Sequence, residues 1–159
     1  MGVSGSGKTT LGEALAEALG WPFIEGDAFH PKANVEKMAS GHPLDDNDRA
    51  PWLQALADQL AQSEARGENS ILGCSSLKRA YRDILRSGAP RVRFLHVHGS
   101  EALLAERLAH RAGHFFPAKL LASQLATLEA LEPDEDGVMT DLALSVPEQV
   151  ADARKKLGL

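Results

Sequence analysis

Apolar positions recur along the chain at two spacings. Leu11, Leu15 and Leu19, with Ala14 and Ala18 beside them, repeat as one helical face and predict a helix over 8–19 that Gly20 stops. Trp21-Pro22-Phe23-Ile24-Glu25 is short and mostly apolar, a strand leading into Gly26-Asp27. In the polar stretch 27–49, a helix is predicted over 33–40, ending at Gly41. Asp48 is suited to cap the next helix, with Pro51 in its first turn and Leu53, Leu56 and Leu60 on one stripe. Residues 71–74 read as a buried parallel strand. The next helix carries Leu77, Tyr81, Ile84 and Leu85 and closes at Gly88. A strand is predicted over 92–97, then a helix capped by Ser100 with Leu103, Leu104 and Leu108 inward. Pro117 opens a helix carrying Leu120, Leu121, Leu125 and Leu128. Residues 141–146 alternate loosely as a last strand, and Pro147 opens a closing helix.

Helix and strand alternate throughout, with connections long enough for crossovers. This predicts an α/β fold, a parallel sheet covered by helices on both faces. A length of 159 residues, without internal repeats, fits a single domain over 1–159. The apolar faces of 53–65 and 118–131 suit either the core or a partner surface.

The formal net charge of −5, without a long basic run, argues against a nucleic-acid binder. No apolar run approaches membrane-spanning length, so no membrane partner is expected. The lone Cys74 excludes a disulfide framework and fits a reducing, cytoplasmic setting. The histidines lack a recognisable metal spacing.

The chemistry begins at the first residues. Gly2-Val3-Ser4-Gly5-Ser6-Gly7-Lys8-Thr9 fits the P-loop pattern G-x-x-x-x-G-K-[ST]. Glycines there turn the backbone so that N–H groups around Ser4, Gly5, Ser6 and Gly7 cradle phosphates. Lys8 adds a positive charge, the Thr9 hydroxyl suits Mg²⁺, and the helix start at Thr9-Thr10 offers N–H groups to the same anion. Asp27, at the end of the next strand, can accept a proton from a substrate hydroxyl or hold Mg²⁺. Arg107 and Arg111 lie four apart on one helical face, where both guanidiniums can reach a triphosphate, and Gly113 beyond them supplies a hinge for a closing lid around 107–120. Lys78 and Arg82, one helical turn apart, are anion-recognition candidates. Cys74 reads as packing rather than as a nucleophile. The guanine-reading Asn-Lys-x-Asp motif is absent, and the combination favours a small-molecule kinase.

Longer motifs sharpen this. Gly26-Asp27-Ala28-Phe29-His30-Pro31, Asn34, Lys37-Met38, Gly41-His42-Pro43-Leu44, Asp46, Asp48-Arg49 and Pro51-Trp52-Leu53 together resemble the signature block of the thermoresistant gluconokinase family. So do Cys74-Ser75-Ser76-Leu77-Lys78 with Tyr81-Arg82-Asp83, and Arg107-Leu108 with Arg111 and Gly113-His114-Phe115-Phe116, followed by Ser123-Gln124. The resemblance covers essentially the whole chain. It implies a fold related to shikimate and adenylate kinases, with parallel strand order 2-3-1-4-5. It also implies transfer of the ATP γ-phosphate to the 6-hydroxyl of D-gluconate with Mg²⁺, usually by a homodimer. On that resemblance Gly5, Gly7, Lys8 and Thr9 hold phosphates and metal, and Asp27 orients or deprotonates the hydroxyl. Arg111, helped by Arg107, belongs to the lid, while His30, Arg49, Lys78 and Arg82 surround gluconate. A kinase for another hydroxy acid such as shikimate, and a non-catalytic nucleotide-binding regulator, are the alternatives.

Relatives carry an apolar strand that ends in the methionine corresponding to Met1. In the implied order that strand is central, so without it neighbouring strands keep unpaired backbone groups and the core an open slot. The expectation is that the coding start lies roughly a few to a dozen codons upstream, enough for one strand.

Overall fold

The computed structural model describes residues 1–110 and 118–159. Helix α1, Lys8–Leu19, forms where the leucine repeat predicts it. It ends at Gly20, whose φ of 67° lets its N–H turn back onto the last helical carbonyls. Strand β1, Phe23–Glu25, enters a 3-10 turn at Gly26–Phe29 and then α2, Lys32–Ala39. Helix α3, Asp46–Ala65, starts earlier than the cap at Asp48 predicts. Asp45 is the cap, and Asp48 reciprocates from the first turn by accepting the Asp45 N–H at 2.8 Å. Pro51 therefore sits inside the helix, beyond its first turn.

Strand β2 is Ile71–Gly73, α4 is Arg79–Gly88, and β3 is Phe94–His98. The β3 strand begins after the expected Val92 because the Val92 N–H closes a turn onto Ala89. Ser100 caps α5, Glu101–Ala109, as predicted. Helix α6 is Ala118–Thr127. The last strand, β4, is Gly137–Asp141, so the expected strand over 141–146 is corrected. There the Asp141 carboxylate accepts the Ala143 N–H at 2.8 Å, and Ser145 with Glu148 forms the capping box of α7, Val146–Leu157. The loose alternation of Leu142, Leu144 and Val146 is a turn and a helix start.

The strands form two parallel two-stranded sheets, β1 with β2 and β3 with β4. Helix α1 packs on β1 and β2, α7 on α1 and β4, and α3 on α4. The α3–α4 contact is close: a Cβ at Gly88 would meet the Ala57 carbonyl at 2.2 Å, so α4 ends on a residue without a side chain. Leu53, Leu56 and Leu60 of α3 and Leu120 and Leu121 of α6 are buried within the chain, which assigns those stripes to the core. No helix of the described residues is long and apolar enough to cross a membrane.

Met1 and Gly2 join the two sheets: the Met1 nitrogen donates to Leu95 O, Val97 N–H donates to Met1 O at 3.0 Å, and Gly2 N–H donates to Ser75 O at 3.1 Å. Behind them is a cavity of about 440 Å³ lined by residues of β2 and β3.

Two buried bases follow from this arrangement. Burial pushes the Met1 amine from its ordinary 8.0 down to about 5, and His96 from 6.5 down to about 4. Both folded-state values are depressed, so the unfolded chain takes up protons first on acidification. Stability contributed by these neutral bases is complete above pH 8.0, is lost through the window from 8.0 to about 5 for Met1, and from 6.5 to about 4 for His96. The urea midpoint is expected to fall steadily across those windows. Nα-acetylation should abolish the upper part of the slope, which unfolding curves at a series of pH values will read.

Candidate active site

The loop between Gly2 and Thr9 has the backbone its glycines allow. Gly5 and Gly7 both hold φ at 80°, a conformation that L side chains rarely adopt. Gly7 is the N-terminal boundary of α1, and no side chain caps that helix, so its start faces the loop open to an anion. The Lys8 ammonium donates to Val3 O at 3.0 Å across the loop. Ser6 is fully buried, and its Oγ has no hydrogen-bond partner among the described residues. Thr10 is exposed in the first turn of α1. Two further side chains reach the loop. Arg107 donates to Leu142 O at 2.8 Å, and its Nη1 lies 3.6 Å from where a Cβ at Gly7 would stand. Gln124 of α6 accepts the Ser4 N–H at 2.6 Å, a contact that sequence reasoning did not assign. Arg111, Gly113 and the centre of the expected lid lie outside the described residues.

Glu25 joins this loop to the acid at the strand end. Thr9 Oγ1 donates to Glu25 Oε2 at 2.7 Å, and Glu25 Oε1 accepts the Asp27 N–H at 3.3 Å. The role of Glu25 was also missed, although its place two residues before Asp27 at a strand end was available as a signal. The donor set is a hydroxyl and two carboxylates, all hard oxygens, which fits Mg²⁺. No cluster of three acidic, cysteine or histidine ligands exists among the described residues. That suits an ion which takes most of its remaining ligands from phosphate and water.

Beyond Asp27 lies a second, cationic region built by the starts of α3 and α4. Asp27 is exposed and stands 3.9 Å from His30 Nε2. His30 stacks on Trp52 with ring centroids 4.1 Å apart, and burial holds its pKa below the ordinary histidine value. Trp52 itself donates to Gly26 O at 2.8 Å, tying α3 to the corner that presents Asp27. Arg49 is only 7% exposed, yet it makes no ion pair among the described residues. Its described contacts are a long bond from Nε to Leu44 O at 3.4 Å and a position 5.6 Å over the Tyr81 ring. Lys78 pairs with both oxygens of Asp46, at 2.8 and 3.0 Å, and Tyr81 Oη donates to the same carboxylate. The Lys78 and Tyr81 hydrogen bonds hold Asp46 below the usual carboxylate range.

Arg82 does not join this group. It is 0% exposed, and its guanidinium donates to Glu135, Ser76 O, Glu129 O and Ala130 O, so every N–H is used inside the fold. The expectation that it surrounds a substrate is corrected: Arg82 is a structural cation that ties α4 to the segment before β4. Cys74 is buried, its thiol pushed up by burial, and it packs in the core.

A glycine-rich loop opening onto an uncapped helix, with an acid at the next strand end, marks the class as P-loop phosphotransferase. The AAA domain family matches residues 1–131. A gluconokinase of Gluconobacter oxydans is 55% identical over 85% of this chain and 76% of its own length. The crystal structure of a gluconokinase from Sinorhizobium meliloti superposes with a TM-score of 0.91 at 51% identity, over 99% of this chain and 89% of that one. An unliganded sugar kinase from Janibacter reaches a TM-score of 0.95 at 49% identity, over 99% and 91%. The chain belongs to the gluconokinase family.

The contrast between the arginines is measurable. Arg82→Met leaves Glu135 buried without its partner and is expected to destabilise the fold by about 3–5 kcal/mol. Lys78→Met, at the exposed pair with Asp46, should shift stability by less than about 1 kcal/mol. Urea unfolding of both variants checks this.

Proposed function

We propose that the chain transfers the γ-phosphoryl group of ATP to the 6-hydroxyl of D-gluconate, releasing 6-phospho-D-gluconate and ADP. Membership of the gluconokinase family supports the reaction. The observation that carries the acceptor assignment is the buried Arg49 guanidinium, which makes no ion pair among the described residues and acts electrostatically on His30. A charge so placed is costly unless an anion pairs with it, and a sugar acid brings a carboxylate to one end of its hydroxyl chain.

In this reading the loop around Gly5, Gly7 and Lys8, with Arg107 beside it, binds and orients the triphosphate. Lys8 and the start of α1 stabilise negative charge that develops on the leaving oxygen. Asp27 takes the proton from the acceptor hydroxyl as its oxygen attacks phosphorus. His30, packed flat on Trp52, narrows the acceptor site beside Asp27, and Lys78 with Asp46 and Tyr81 forms its rim. Thr9, with Glu25 and Asp27 nearby, would hold Mg²⁺, which supplies charge neutralisation for the phosphates. Arg111, outside the described residues, belongs to the same proposal as a lid residue closing over ATP. The finer family traits, a sheet ordered 2-3-1-4-5 in one domain and a homodimer, are part of the proposal. The observed pairs β1–β2 and β3–β4 are consistent with that order.

Asp27→Asn should lower kcat for gluconate at least about 100-fold while ATP affinity stays within a few-fold. Turnover is followed by coupling the product to 6-phosphogluconate dehydrogenase, and nucleotide binding by calorimetry. Arg49→Lys keeps the charge but loses the planar fork, and should raise KM for gluconate by roughly 10-fold or more with KM for ATP little changed. Unaltered KM for gluconate in that variant would remove Arg49 from the carboxylate site.

A further inference from the structure

Helix α2 is held to the fold by an amide. Asn34 is its one buried residue, 5% exposed, while the other positions of the helix are exposed or half-buried. A buried carboxamide is stable only when its hydrogens are used. One of them goes to Asp48 O in α3, 2.7 Å from Asn34 Nδ2. Lys37, one turn further along α2, donates to the Asp48 carboxylate at 2.6 Å, so α2 meets the start of α3 at two points and Asn34 has a fixed place.

The second hydrogen decides the chemistry of the neighbouring ring. His30 Nδ1 lies 3.5 Å from the same Asn34 nitrogen. Asp48 O can only accept, which turns Nδ2 rather than Oδ1 of Asn34 toward this corner. An amide nitrogen can only donate, so His30 Nδ1 meets it as an acceptor, without a proton. The neutral imidazole then carries its hydrogen on Nε2. The ring is held in place: it stacks on Trp52 with centroids 4.1 Å apart and planes 17° apart, and its side chain is 5% exposed. Trp52 is itself fixed by its bond to Gly26 O.

His30 Nε2 stands 3.9 Å from Asp27 Oδ1. That is too long for a hydrogen bond, and it is a separation across which one oxygen can touch both groups at roughly 2.8 Å. A hydroxyl fits there in one orientation. Its oxygen accepts from Nε2–H, and its hydrogen goes to the carboxylate, which only accepts. With the proton on Nδ1 instead, Nε2 and Asp27 would both present lone pairs, and one hydroxyl hydrogen could satisfy only one of them.

We propose that Asn34 is a positioning residue for the acceptor: its donation to Nδ1 fixes His30 as the Nε2–H tautomer, and His30 with Asp27 then forms a donor–acceptor pair that recognises and orients a hydroxyl. The proposal rests on Asp27 facing the acceptor hydroxyl in the reaction set out above. The effect of Asn34 falls on the acceptor rather than on ATP, because it acts through His30.

The tautomer is read directly. Long-range proton–nitrogen correlation spectra of the ¹⁵N-labelled chain are recorded at mildly alkaline pH, with the His30 signals assigned by their loss in His30→Gln. The unaltered chain is expected to show His30 protonated on Nε2. Protonation on Nδ1, or exchange between the two forms, would overturn the proposal. Kinetics test the consequence. Glutamine places its amide nitrogen near the position of Nε2, and asparagine places its own near Nδ1, so His30→Asn should lower kcat for gluconate roughly ten-fold more than His30→Gln. Asn34→Leu cannot donate, and should give a mixture of tautomers with kcat/KM for gluconate lowered roughly ten-fold and KM for ATP within about two-fold. Equal kcat in the two His30 variants, or an unchanged tautomer in Asn34→Leu, would overturn the proposal. Failure of the unaltered chain to phosphorylate gluconate would instead overturn the reading of the function, while the tautomer spectrum still tests Asn34.

Discussion

The structure depends on how the chain enters its phosphate loop. Gly5 and Gly7 take left-handed backbone conformations that open the loop toward an uncapped helix start, and a loop of that kind holds its shape only if both ends are fixed. α1 fixes one end, through Leu11 and Leu15 packed in the core. The other end rests on backbone hydrogen bonds from Met1 and Gly2 to β3 and to the residues after β2. Met1 thus sits between the two pairs of strands, its buried amine donating to Leu95 O and its carbonyl accepting from Val97.

Charge in this small domain is divided between holding and binding. The acidic loop before β4 collects Arg79 and Arg82, with Glu135 held well below its ordinary pKa by the Arg82 guanidinium. Within that network Arg82 uses all of its donors, which is how a buried guanidinium is tolerated. Arg49 shows the opposite condition, a buried guanidinium over an aromatic ring that makes no ion pair within 4.0 Å among the described residues. The first arrangement fastens α4 to the rest of the fold. The second leaves a buried guanidinium with one long backbone hydrogen bond and an aromatic face as its described contacts.

The Gly26–His30 corner couples these parts. Trp52 is nearly fully buried and binds Gly26 O, so α3 positions the corner from behind while His30 lies flat on the indole. Glu25 reaches the other way, to Thr9 in the phosphate loop. One short strand end thus carries contacts both to the P-loop and to α3.

Local pattern carried much of this. The leucine repeat located α1, Gly20 its end, Ser100 the start of α5, and the glycines of the P-loop motif the turns before α1, because each follows from short-range sterics and backbone hydrogen bonding that a few neighbouring residues control. The element ends that went astray, at Asp45 rather than Asp48 and at Gly137–Asp141 rather than 141–146, lie where Asp and Ser side chains choose between competing local hydrogen bonds. Tertiary structure alone decided which arginine is paired with a carboxylate: Arg82 is, and Arg49 is not among the described residues. Arg49 and Arg82 are the same residue type on similar helices, and Arg82 is spoken for only because Glu135 is brought back to it from 53 residues away. It likewise decided that the stripes of α3 and α6 face inward. Long-range packing, not local preference, determines which groups meet, and burial and partnership are properties of those meetings.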